Sequence, residues 1–163
     1  LILGLQHETI DLLKKYFAQN ETVQGVQLLG GSLKLSKTDA AFIYGCAIHS
    51  MDFEPMFLPP THAVSPVLAP LIALAQSGEG SGELFLKAFV AGIQLEADLR
   101  KAAVASDVIA AQKENHFPFD RHGFHPPGTV GPMGSAIASS ILLEMHNEKK
   151  EMAIDHAASR SSD

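Results

Sequence analysis

The stretch SPVLAPLIALAQ, residues 65–76, carries no charged side chain and is apolar around its whole helical circumference. Ser65 followed by Pro66 reads as a helix start, with serine at the N-cap and proline at the first helical position. A helix without a polar face must be covered by protein on every side. The next helix makes nearly the same demand. Its polar residues Glu83, Lys87, Gln94, Asp98 and Lys101 fall on one narrow stripe at helical spacing, leaving a wide apolar remainder. Two such helices are hard to bury within 163 residues, because small domains cover a modest share of their surface. The chain is therefore expected to belong to a larger helical body, to a subunit interface, or to both.

The other segments place further helices around this pair. Ile10, Leu13 and Phe17 recur at helical spacing within residues 8–19. Residues 22–35, TVQGVQLLGGSLKL, combine β-branched residues with glycine breaks and predict a short hairpin or an extended loop. Ser36 to Asp39 resembles a capping box and opens a helix over about Lys37 to Met51, which would deliver His49 and Asp52 at its C-terminal end. Residues 112–127 read as a polar, aromatic and proline-containing loop. A small-residue helix starts near Gly128 or Thr129, with Ala136, Ile137 and Leu142 among its packing residues. Asn147 would cap a last helix from Glu148 to about Arg160. The expected fold is all-α, a helical bundle-like domain with one short hairpin.

Composition removes several function classes. A formal charge of −6, with no cluster of lysine and arginine, argues against nucleic acid as a main partner. The longest apolar tract, Ala63 to Ala75, is broken by Pro66 and Pro70 and falls short of the roughly 20 residues a membrane span needs. No membrane partner is expected. The single cysteine, Cys46, lies in an apolar run, reads as a packing residue, and fits a reducing compartment. That points inside the cell and leaves mitochondrial and cytoplasmic placement open. The chain begins at Leu1 in mid-pattern and stops at Asp163 directly after a helical pattern, so both ends read as cut.

Chemistry concentrates in AIHSMDFEPMFLPPTH, residues 47–62. His49 and Asp52 stand three apart and would share a helix face. His62 lies just before the Ser65 start, and His125 lies just before the helix near Thr129. Helix N-termini carry unsatisfied N–H groups and favour anions, so the two histidines there suggest a carboxylate pocket. Arg121 is a candidate for substrate charge. The bland reading of each residue is a loop hydrogen bond or a cap. The mixed donors of His49, Asp52 and His62 match no standard zinc spacing, and there is no second cysteine, so no metal is expected. GPMGSA lacks the lysine and the strand of a phosphate loop, and no serine sits in a G-x-S-x-G elbow. No functional role is read for His7, His116, His122, His146 or His156.

GCAIHSMDFEPMFLPPTH, SPVLAPLIALAQ, SGELFLKAFVAGIQLEADL and GFHPPGTVGPMGSAIASSILL, taken in this order, resemble the N-terminal helical domain of the MmgE/PrpD family, over about Gln24 to Ser161. The resemblance implies a cofactor-free lyase, part of a longer two-domain protein with a smaller α+β lid, acting as a homodimer on a small tricarboxylate. By this likeness Asp52 matches the family's active-site aspartate, His62 the histidine closing the same motif, and His125 the histidine of the F-H-P motif. His49 matches a histidine of supporting role. His62 would donate a proton or bind a carboxylate, His125 would contact a substrate carboxylate, and Asp52 would orient an imidazole or a later lysine.

The run AIHSMDF leans toward decarboxylation of cis-aconitate to itaconate. Dehydration of 2-methylcitrate is the alternative, and a truncated, catalytically silent helical module is another. Several positions depart from the family pattern. Glu54-Pro55 replaces two acidic residues, Met56 replaces a threonine, and Leu58-Pro59 replaces His-Pro. The loop at about Ser106 to Arg121 looks lengthened, and the active-site lysine and the lid would lie beyond Asp163.

Overall fold

The computed structural model describes residues 1–57, 61–114 and 125–161. Six helices carry the architecture: α1 (Glu8–Phe17), α2 (Lys37–His49), α3 (Val64–Gln76), α4 (Gly82–Glu114), α5 (Pro126–Leu142) and α6 (Asn147–Ala158). Two small antiparallel hairpins interrupt them. The expected one pairs β1 (Val26–Gln27) with β2 (Lys34–Leu35), Val26 opposite Leu35. The second, not anticipated, pairs β3 (Met56–Phe57) with β4 (Thr61–His62), Met56 opposite His62. The all-helical reading holds for the body of the domain.

α3 is the axis of the packing. Alternate residues along it face two different cores. Ala69 and Ala73 join Ile10, Leu35, Ile43, Tyr44 and Ala47 in one, between α1, α2 and the first hairpin. Val67 and Leu71 join Ala88, Ala138 and Leu142 in the other, between α4 and α5. From Ala63 to Leu74 no residue is exposed, as a helix apolar all round requires. Over residues 82–103, α4 is covered on one side only. Leu86 and Val90, one turn apart, are exposed, so its wide apolar remainder exceeds what this chain can bury.

Small residues let these helices approach. A Cβ on Gly92 of α4 would collide with Val67 of α3 and with the Gly134 backbone of α5. Tyr44 then ties the first hairpin to the bundle. It is fully buried; its hydroxyl donates to Gln76 Oε1 at 2.6 Å and accepts from the Leu29 N–H at 3.1 Å. Gln76 Nε2 in turn donates to the Gln27 carbonyl at 3.1 Å.

Several expected boundaries move, each for a local reason. Ser36 does cap α2, its Oγ accepting from the Asp39 N–H at 3.1 Å. α2 stops at His49, however, and Asp52 takes a left-handed backbone with φ of 51°. Asp52 is therefore off the helix and shares no helical face with His49. α3 begins at Val64, so Ser65 is a helical residue and not its N-cap. α4 runs to Glu114, so residues 112–114, read as loop, are helical. α5 begins at Pro126, where two prolines supply the helical φ and lack N–H groups that would go unpaired. α6 begins at Asn147, with His146 in the cap position. His7 proves to be a cap as well, its Nδ1 accepting from the Thr9 N–H at 3.3 Å.

The Tyr44 network yields a stability test. Tyr44→Phe removes both hydrogen bonds of a buried hydroxyl and leaves the Leu29 N–H unpaired, so it should cost about 1–3 kcal/mol. Denaturant unfolding of the variant, with an unchanged m-value and a lowered midpoint, is the measurement.

Candidate functional site

The histidine site forms where α2 ends and α3 begins. Glu54 lies on the connecting segment with its side chain fully enclosed, although the residue follows an exposed turn. Its Oε1 accepts the backbone N–H of Ser65 at 2.5 Å. A carboxylate from the preceding loop thus takes up a free N–H of the first turn of α3, the task assigned to the Ser65 hydroxyl. Its other oxygen, Oε2, faces two imidazoles. His49 Nδ1 lies 3.3 Å away, where its N–H donates to the carboxylate, and His62 Nδ1 lies 3.8 Å away. The two rings meet edge to face, with centroids 4.8 Å apart.

The two histidines differ in access. The His49 side chain is 48% exposed at the end of α2, and that of His62 on β4 is 17% exposed. His62 Nδ1 is enclosed and, among the described residues, has no hydrogen-bond partner. The hydroxyl of its neighbour Thr61 is in the same position. Such atoms are costly to bury without a partner.

His125 occupies the N-cap position of α5, and its side chain caps nothing. Its carbonyl accepts from the Gly128 and Thr129 N–H groups at 2.9 and 3.2 Å. His49 and His125 line one open groove of about 530 Å³ between α2, α3 and α5, whose walls include Phe42, Cys46, Pro66 and Pro70. Apart from the two imidazoles and a few hydroxyls, the walls are apolar. Asp52 is not part of this assembly. It is exposed, its N–H donates to the His49 carbonyl at 2.9 Å, and among the described residues its carboxylate pairs with no side chain. Arg121 lies outside the described residues. The structure thus joins His49 to His62 through Glu54, joins His49 to His125 through the groove, and leaves Asp52 apart.

A second acid was not singled out from the sequence. Glu96 on α4 has no exposed surface, and neither of its side-chain oxygens has a hydrogen-bond partner among the described residues. It lies against α5 at Gly134, where a Cβ would collide with its carboxyl group. Burial, with a smaller contribution from the charge of Glu54, pushes its acid from the ordinary 4.5 up to about 8. A signal was there to be read: Glu96 falls off the polar stripe of its own helix. Glu54 was visible too, as an acid on the segment between α2 and α3, but its role depends on where α3 begins.

The described helices and the motifs on them are those of a known domain. The model of the MmgE/PrpD N-terminal domain matches residues 1–163. The chain belongs to the MmgE/PrpD family. It is 39% identical over 133 residues to a protein named cis-aconitate decarboxylase from Homo sapiens, covering 79% of this chain and 25% of that one. The Mus musculus protein of the same name is 37% identical over 132 residues, covering 76% of this chain and 25% of the relative. This MmgE/PrpD domain therefore spans about a quarter of the length of the curated relatives it matches.

The buried acid gives a pH test with a defined sign. The folded chain holds the Glu96 proton more tightly than the unfolded chain does. The stability tied to that proton is therefore present below pH 4.5 and is lost as pH rises through about 8. Glu96→Gln keeps the shape and removes the titration, so the variant should gain stability over the unsubstituted protein as pH rises through this window. Denaturant unfolding at about pH 5 and about pH 9 checks it: the difference between the two proteins should favour the variant more at the higher pH.

Proposed function

We propose that this domain supplies the histidine half of the active site of a lyase acting on a tricarboxylate, and that the reaction is decarboxylation of cis-aconitate to itaconate. The observation that carries this reading is the placement of His49, Glu54 and His62 in one cluster, with His125 across a groove shared with His49. The likeness to two proteins named as cis-aconitate decarboxylases favours that substrate over 2-methylcitrate.

The chemistry asks for three things, and the site has the means for each. The carboxylate that leaves must shed its solvation, which an apolar groove favours. The remaining carboxylates need donors. The His125 imidazole lies on one wall of the groove, and His49 lies on another. The electron pair of the broken C–C bond passes into the allylic system. A proton delivered at its far carbon then gives itaconate, with carbon dioxide as the other product. His62 is assigned that proton delivery, and Glu54 holds the imidazole pair in place through Oε2 while Oε1 stays on α3.

Asp52 keeps a role in this proposal through its exposure. Free of the imidazoles, its carboxylate is available to orient a lysine supplied by the part of the protein outside residues 1–163. The lid and that lysine belong to the same outside part, and the domain is a portion of a two-domain homodimeric protein in which the exposed side of α4 at Leu86 and Val90 is covered. No cofactor enters the scheme.

The test uses the full-length protein and proton NMR of cis-aconitate and, separately, 2-methylcitrate. Itaconate should accumulate from the first. His62→Ala and His125→Ala should each lower the turnover by about 10²-fold or more, as for loss of a general acid or base. 2-Methylaconitate from the second substrate alone would move the assignment to dehydration. Silence on both would identify the domain as catalytically inert.

A further inference from the structure

His49, Glu54 and His62 hold more than a hydrogen-bonded relay. Each offers one ligand atom, and these atoms all lie within 4.8 Å of one another. Two of the separations are 3.3 Å, from His49 Nδ1 to Glu54 Oε2, and 3.8 Å, from His62 Nδ1 to the same oxygen. Zinc bonded to imidazole and carboxylate at about 2.1 Å places tetrahedral neighbours roughly 3.4 Å apart, close to both. We infer that these three residues form a binding site for a divalent transition-metal ion of the zinc class, and that its occupancy inhibits the chain's reaction by withdrawing His62 from it.

Four observations converge on that reading. The donor set, two imidazole nitrogens and one carboxylate oxygen, suits zinc and its neighbours and disfavours magnesium and calcium, which prefer oxygen alone. His62 Nδ1 is enclosed with no hydrogen-bond partner among the described residues, so a ring nitrogen at the cluster is free to serve as a ligand. Glu54 is already fixed. Its Oε1 is held by the Ser65 N–H, which leaves Oε2 as a single oriented ligand atom with the supporting hydrogen bond that metal-binding carboxylates commonly have. His49, at 48% exposure, gives the ion a way in and leaves room for a water in a fourth position.

The ion takes the place of the hydrogen between His49 Nδ1 and Glu54, and the neutral imidazole then carries its proton on Nε2. Sequence spacing hid this set. The residues stand five and eight apart, and the turn after α2 and the second hairpin bring them together.

Inhibition rests on the role proposed for His62; binding does not. The experiment therefore measures binding without turnover, on the full-length protein stripped with a chelator and titrated with Co²⁺ alone and with Zn²⁺ alone. One equivalent of Co²⁺ per chain should bind with the visible bands of a tetrahedral site, and Zn²⁺ should displace it. His49→Ala should weaken Zn²⁺ binding by at least ~10-fold with unchanged far-UV circular dichroism, and His62→Ala should do the same. Glu54→Gln should also lose the ion. Because it alters the start of α3, the half-exposed His49 is the deciding variant. Absence of stoichiometric binding overturns the site, as does binding of equal strength in His49→Ala. Where turnover is present, it should fall in step with Zn²⁺ occupancy. Turnover untouched at full occupancy overturns the inhibition, and a chain inert on the tricarboxylates that still binds one ion separates this site from the proposed function.

Discussion

The domain depends on one carboxylate meeting the start of one buried helix. No residue from Ala63 to Leu74 is exposed and Ser65 is buried, so the Ser65 N–H in the first turn of α3 cannot be left to water. Glu54 Oε1 takes the Ser65 N–H, and this fixes the segment that returns from α2. α3 then serves both cores at once, through Ala69 and Ala73 on one side and Val67 and Leu71 on the other. The interaction that starts the central helix also sets the site, because the second oxygen of the same carboxylate orients His49 and confronts His62.

Close packing and buried charge are linked on the opposite side of α3. Gly92 and Gly134 let α4 and α5 approach so closely that no water layer separates them, and Glu96 lies in that contact without a hydrogen-bond partner among the described residues. A group in such a place is held in its neutral form, since desolvation penalises the ion. Glu54 and Glu96 thus divide the acid work. One anchors a helix, and the other keeps its proton near neutral pH. Local rules of stability are broken most openly around functional groups, and this part of the domain follows that pattern.

The groove has a chemical logic that its walls explain. The groove offers few donors, His49 and His125, against walls of proline, phenylalanine and alanine. In the proposed reaction, loss of a carboxylate as neutral carbon dioxide gains from such surroundings, since the localised charge that needs solvation spreads into the allylic system before the proton arrives. A cluster of two imidazoles and a carboxylate also has the donors of a transition-metal site. The property that suits His62 to proton transfer, a ring nitrogen held free of hydrogen bonds, is the one that attracts a metal ion.

Much of the domain was legible in its residues. Periodicity placed α1, α2, α3, α4 and α6, the Ser36 cap of α2 and the first hairpin, because local propensity and tertiary packing agree there. The same reading found His49, His62 and His125 as the residues worth attention. Asp52 was placed wrongly beside His49. An i, i+3 argument holds only while the helix continues, and a left-handed residue two positions past the α2 C-cap ends it. Residue types and their spacing determined that α3 must be surrounded and that α4 must leave apolar surface over. Only the tertiary structure decided that Glu54, not Ser65 or Asp52, satisfies α3 and joins the histidines. A carboxylate on a connecting segment has no period to betray its direction, and its partner is chosen by which buried N–H stands within reach once the chain has folded.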